Sequence, residues 1–341
     1  MATGIHEQTG MSATLSRLAW IDLLRGLAVV GMVETHVLHT FLSPEHEAAN
    51  WLHQLNFFNG LVAPAFLWIA GYVQGLAIRK AHREERPVTN WRRWQRLAVV
   101  ALIGYLLHVP WSYWGAGDFG EGSWRIALQV DILQCMAVSL ALLLCVGTLG
   151  KGWLFDGLLV VVALAGIFLA PLSEHWRTGL LFVDMFLVPG EGSLFPLLPW
   201  FSFSALGCLA SRWKPAWKVY VPASLVLMVL GYYLEPQDWS KLHPAFFAAR
   251  LGYLGMLVVL VHFISRWLAP RWLLLAGRES LLMYVAHLVL IFSFPLPRLP
   301  LSLLVGQSLQ PPAAVAAFIA VLLVCLTLAW ANERRKRRAR T

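Results

Sequence analysis

Apolar residues run through this chain in long blocks separated by short polar ones. Ten blocks have the length and character of membrane-spanning helices: 20–41, 59–79, 97–114, 126–148, 153–171, 194–211, 217–234, 245–265, 272–293 and 312–331. About 20 predominantly apolar residues are needed to cross a hydrocarbon core. Several blocks contain Pro or Gly, which membranes tolerate where neighbouring helices cover the freed backbone groups. The pattern predicts an all-α, polytopic helical bundle of about ten transmembrane helices. It forms a single integral membrane domain over 1–341, with a polar segment at 1–19 and a basic tail at 332–341. No internal repeat or low-complexity segment interrupts it.

The first block breaks its own pattern. It carries Asp22, Arg25, Glu34, His36 and His39. A charged side chain near the bilayer centre costs at least about 2.5–3.5 kcal/mol, so a block that only has to cross lipid is built from Leu and Val. At 100° per residue, Asp22, Arg25, His36 and His39 fall within about 100° of one another, and Glu34 lies on the opposite side. A polar stripe down one face of a membrane helix points to a working site that faces protein or water.

Composition agrees with a membrane protein: 58% hydrophobic, 13% charged and 17 Trp. The net charge of +9 changes the picture only through its distribution. With the N-terminus in the cytoplasm, 21 of the 27 Lys and Arg fall in internal segments, and four (Arg125, Arg177, Lys241, Arg298) fall in external loops. Such a positive-inside bias places both termini in the cytoplasm. It also turns the tail ERRKRRAR into an anchor against anionic lipid headgroups rather than a nucleic-acid site. The first block is long and lacks a small-residue cleavage site, so it is expected to remain in the mature protein. Cys135, Cys145, Cys208 and Cys325 all lie in apolar blocks without metal-ligand spacing, so no metal is expected. The loop at 79–96 (RKAHREERPVTNWRRWQR) reads either as a membrane-surface anchor or as guanidiniums for the phosphates of a nucleotide-like cofactor.

Arg25 and His36 project from nearly one line, because eleven residues make three turns plus about 20°, and they stand about 16 Å apart along the axis. A neutral imidazole can accept a proton from an attacking hydroxyl or amine. A guanidinium cannot act as a base, but it can hold an anion or orient a carbonyl. The spacing suits a ligand that enters from the cytoplasm, is held near Arg25 and Asp22, and extends a reactive end towards His36.

Four stretches carry a family resemblance. Residues 17–36 (RLAWIDLLRGLAVVGMVETH) resemble the opening signature of the transmembrane acyltransferases, above all the bacterial relatives of heparan-α-glucosaminide N-acetyltransferase. The spacing from Arg25 to His36 is also similar to that of the membrane acyltransferase-3 family. Residues 62–71 (VAPAFLWIAG), 195–200 (FPLLPW) with Leu206 and Gly207, and 277–287 (GRESLLMYVAH) resemble later motifs in the same order. The resemblance implies transfer of an acyl group, usually acetyl, from cytoplasmic acyl-CoA to a sugar or glycan beyond the membrane. It implies His36 as general base or transient acyl carrier, with Arg25 and Asp22 as its partners. It also implies a bacterial inner-membrane location. The relatives commonly show Asp before the histidine, where this chain has Thr35. Glu34 points about 160° away from His36, so what orients the imidazole stays open.

His53 is a rival catalytic residue, in the loop expected at 43–58. On the ninth block, Ser280, Tyr284 and His287 share one face with Arg278 at its start. They read either as the lining of a channel for acyl-CoA or as interhelical hydrogen-bonding groups. Asp131 and Gln134 could line the same cavity, Arg250 could pair with Asp131, Asp184 or Glu34, and His108 and His262 read as core or interfacial residues. The partners expected are membrane lipids, acyl-CoA, a sugar or glycan acceptor and a second copy in a homodimer, with no nucleic acid. The competing reading is a transporter or flippase for a small polar solute or lipid-linked sugar, although inverted repeats and matching broken helices are not evident.

Overall fold

The computed structural model describes residues 3–190, 192–213, 216–234, 241–292 and 300–339, with side chains from residue 19 onward. Arg17, Lys214, Arg298 and Arg340, four of the sorted cations, lie outside the described side chains. The described residues are helical, with isolated bridges such as Leu42 to Leu309 in place of strands. The helices are α1 (Thr3–Phe41), α2 (Asn50–Asn59), α3 (Val62–Arg83), α4 (Trp91–Leu107), α5 (Trp111–Gly115), α6 (Glu121–Ala127), α7 (Ile132–Leu149) and α8 (Gly152–Leu169). They continue as α9 (Leu181–Leu187), α10 (Leu197–Ala210), α11 (Trp217–Tyr233), α12 (Pro244–Ile264), α13 (Arg271–Arg278), α14 (Ser280–Phe292), α15 (Leu301–Val305) and α16 (Pro311–Arg338).

Among the described residues, five helical stretches are long and apolar enough to cross a membrane: Asn50–Arg83, Ile132–Leu149, Gly152–His175, Pro244–Ile264 and Pro311–Arg338. A sixth is added if α13 and α14, bent by 85° at their junction, form one span. α10 and α11 are apolar but shorter. α1 stays out of this group because Asp22, Arg25, Glu34 and its histidines lower its apolar character. Exposed Leu, Val, Ile and Phe cover one face of α8 (Val161, Leu164, Phe168) and of α16 (Val315, Ile319, Leu323). Apolar faces of that extent are stable only against lipid or protein, and the chain is an integral membrane protein.

Two departures from the sequence pattern are local. The stretch expected as a loop at 43–58 contains α2, so His53 lies on a helix and is exposed there. The fourth block does not run unbroken from 126. Its helix starts at Ile132, where Asp131 and Gln134 form a reciprocal cap: the Ile132 amide donates to Asp131 Oδ1 at 2.7 Å, and the Asp131 amide donates to Gln134 Oε1 at 3.3 Å. These two polar residues therefore form a helix start, and Asp131 Oδ2 also lies 3.8 Å from His108 Nε2.

Cα proximity divides the chain into two compact units, Met1–Val62 with Met256–Thr341, and Ala63–Gly255. In the first, α13, α14 and α16 pack on α1. In the second, α10 is the central helix and packs on α7 and α8. Its Ser204 hydroxyl donates to the Leu67 carbonyl of α3 at 3.1 Å, and its Ser202 hydroxyl donates to the Ala163 carbonyl of α8 at 2.9 Å. A Cβ at Gly71 would overlap the carbonyl oxygen of Ser204, and one at Gly207 would overlap that of Trp68. Two of the four sequence motifs therefore meet as one glycine-lined helix crossing, the kind that lets backbones approach closely in membranes.

Candidate functional site

The other two motifs meet in the first unit. A Cβ at Gly26 of α1 would overlap the Leu273 carbonyl of α13, and a Cβ at Gly277 of α13 would overlap the Asp22 carbonyl of α1. Only glycines allow α13 to lie this close to α1. The contact brings the Gly277 carbonyl within 3.3 Å of Arg25 Nη1, which also sits 3.4 Å from Asp22 Oδ1. Arg25 and Asp22 are both partly exposed, at 23% of their side-chain surface. The guanidinium is thus braced on two sides and keeps further donor N–H groups to offer a ligand.

The chain then breaks. Glu279 separates α13 from α14. It is buried, yet it is held by Lys336 Nζ at 2.7 Å and Asn332 Nδ2 at 2.8 Å, both on α16. Arg278, expected to contact a ligand, is exposed and donates to Glu333 Oε1 at 3.1 Å. Part of the basic tail is therefore engaged with α13 and its junction, in addition to any role at a membrane surface. Neither Glu279 nor its tether was evident in the sequence, because its partners lie more than 50 residues downstream.

From this bend α14 carries Ser280, Tyr284 and His287. His287 is fully buried, and its Nε2 lies 2.9 Å from Nδ1 of His36 on α1. The rings are 5.0 Å apart, tilted by 32°. Tyr284 meets His287 edge-on at 5.6 Å, and Phe292 meets His36 edge-on at 6.1 Å. On its inner side, His287 Nδ1 lies 3.0 Å from the Met283 carbonyl, one turn back. A hydrogen-bonding partner of the His36 ring is thus another histidine, 251 positions away. The Thr35 hydroxyl donates to the Gly31 carbonyl at 2.7 Å.

The remaining candidates are dispersed. His39 is exposed and lies 2.9 Å from the Asn56 side chain of α2. Asp184 accepts from the Thr178 hydroxyl and from the Thr178 and Gly179 amides, and Arg250 stacks on Phe246. His108 lies 2.8 Å from the Gly104 carbonyl, and His262 packs edge-on to Trp20. The loop between α3 and α4 borders a cavity of about 410 Å³ lined by Lys80, Glu84, Arg86, Asn90 and Arg93, in which Glu84 already pairs with Lys80 and Arg86.

The site as built can hold an anion at one end and move a proton at the other. The family described as heparan-alpha-glucosaminide N-acetyltransferase, catalytic, matches residues 17–218. The match contains Asp22, Arg25, His36 and His53 and stops before α13 and α14. A search of curated proteins gives no match.

Proposed function

This chain belongs to the heparan-alpha-glucosaminide N-acetyltransferase catalytic family, and from that premise we propose that it carries an acyl group, acetyl in kind, from cytoplasmic acyl-CoA to an amine or hydroxyl of a sugar or glycan on the outer side of the membrane. The observation that carries this reading is the His36–His287 contact at 2.9 Å, on the helix that also bears the braced Arg25. His36 takes the proton from the acceptor as its nitrogen or oxygen bonds to the thioester carbonyl carbon. The C–S bond breaks, and the imidazolium returns the proton to the CoA thiolate. Arg25, positioned by Asp22, holds an anionic or carbonyl group of the donor, and Ser280 and Tyr284 line its path. In this reading the chain is one bacterial inner-membrane domain of about ten spans, including α1, with both termini cytoplasmic. Its partners are lipid, acyl-CoA and the acceptor, and it is able to pair with a second copy.

The test is acetyl transfer from radiolabelled acetyl-CoA to glucosamine by the purified protein in nanodiscs. His36→Ala should lose on the order of 10²–10⁴-fold in rate, the range of general acid–base catalysis, while the protein stays folded. His53→Ala should stay near wild type. Full activity in His36→Ala removes that residue from the chemistry. An acetyl group found on His36 after quenching would replace proton transfer by transient acyl carriage. Solute flux into proteoliposomes without CoA would favour a transporter.

A further inference from the structure

We infer that His287 is a positioning residue: it fixes the tautomer of His36, with the proton on Nδ1 and the lone pair on Nε2. The inference deepens the reading above and rests on His36 as the reacting group.

The argument starts at the Met283 carbonyl. A carbonyl oxygen only accepts hydrogen bonds, so the His287 nitrogen 3.0 Å away, Nδ1, carries a hydrogen. His287 is 0% exposed. A second proton would make a buried cation, which is costly without a paired anion, so its Nε2 has a lone pair and accepts. The atom facing that lone pair at 2.9 Å is Nδ1 of His36, which must therefore donate. A neutral His36 with its hydrogen on Nδ1 has its basic lone pair on Nε2, the ring nitrogen not bonded to His287. The hydrogen bond that one ring nitrogen makes sets the state of the other.

The chain that results runs from a backbone carbonyl through two imidazoles to the reacting nitrogen. When His36 Nε2 gains a proton, the Nδ1–H of the imidazolium stays bonded to a neutral acceptor. The Thr35 hydroxyl donates to the Gly31 carbonyl. The bend at Glu279, and the Gly26 and Gly277 approaches that dock α13, give α14 the direction that brings His287 to His36.

The experiment is ¹⁵N NMR of the full-length protein in nanodiscs with ¹⁵N-labelled histidine, His36→Ala assigning the His36 signals, together with kinetics on acetyl-CoA. Expected for wild type is a pyrrole-type Nδ1 and a pyridine-type Nε2 on His36. His287→Gln, whose amide oxygen can accept, should keep that signature and most of the rate. His287→Leu should mix the tautomers and lower kcat on the order of 10²-fold, with KM for acetyl-CoA unchanged. A pyrrole-type Nε2 on wild-type His36 overturns the inference whether or not the variants fold. So does a His287→Leu protein with wild-type kcat, or one that changes only KM, which would make His287 a donor-binding residue. If wild type shows the expected signature but transfers no acetyl group, the tautomer assignment stands and the proposed function falls.

Discussion

The crossing of α1 with α13 and the crossing of α3 with α10 are closed by the same device, a pair of glycines whose missing Cβ atoms make room for carbonyl oxygens of the opposite helix. They differ in what surrounds the contact. Around Gly71 and Gly207 the polar groups are serine hydroxyls, and Ser202 and Ser204 donate to backbone carbonyls. Around Gly26 and Gly277 the groups are a carboxylate, a guanidinium and, farther along α1, two imidazoles. Serines at a membrane helix contact serve association, and each interhelical bond is worth about 0.6–2 kcal/mol. Ionisable groups at such a contact are too costly for packing alone. The same backbone solution therefore joins a serine-bearing crossing in one unit and an ionisable one in the other.

The largest expected effect separates these roles directly. His36→Ala should abolish acyl transfer without unfolding the protein, whereas Ser204→Ala should lower stability by about 1 kcal/mol and leave kcat unchanged. If Ser204→Ala also removes turnover, the contrast between the crossings fails. Next come the ion pairs. Asp156 in the second unit is buried between Arg79, at 2.5 Å, and Arg212. Removing it strands a mostly buried guanidinium, so Asp156→Ala should cost about 3–5 kcal/mol in thermal or denaturant unfolding. Asp22→Ala should cost only about 1 kcal/mol, because the Asp22–Arg25 pair is longer and partly exposed, yet it should lower the rate by releasing Arg25.

The glycines sharpen the comparison further. Gly207→Ala and Gly277→Ala each force apart two backbones, with an expected loss of about 1–3 kcal/mol. Only Gly277→Ala should also reduce kcat at temperatures where both variants remain folded, since it redirects α14 and His287. Equal kcat losses in both would mean that the α1–α13 contact has no special part in the chemistry. The smallest effect lies outside both crossings. Hydrogen bonds from the Thr178 hydroxyl, the Thr178 amide and the Gly179 amide hold the Asp184 carboxyl below its usual range. A depressed carboxylate stabilises the fold above its unfolded pKa, and this contribution is lost as pH falls through the folded value. Hydrogen exchange of the Thr178 and Gly179 amides should therefore be slower in wild type than in Asp184→Asn at neutral pH, and the difference should vanish well below about pH 3.9.

Composition and pattern alone were enough to show that this protein is helical and membrane-embedded, that its first hydrophobic block bears ionisable residues on one face, and which family it resembles. Those are properties of composition and of short periodic patterns, and the 100° step of a helix is enough to place Asp22, Arg25 and His36 on one face. The sequence also supplied four motifs, but as separate strings. Their pairing was decided by tertiary structure, because glycine contacts between α1 and α13 or between α3 and α10 depend on helix directions that no local pattern encodes. The cap made by Asp131 and Gln134 was legible as a capping signal but lay inside an apolar run that read as continuous helix. The partner of His36 was hidden for the same physical reason as the tether of Glu279. Each interaction spans at least 50 residues, and its geometry exists only once a bent helix pair has been packed against its neighbours.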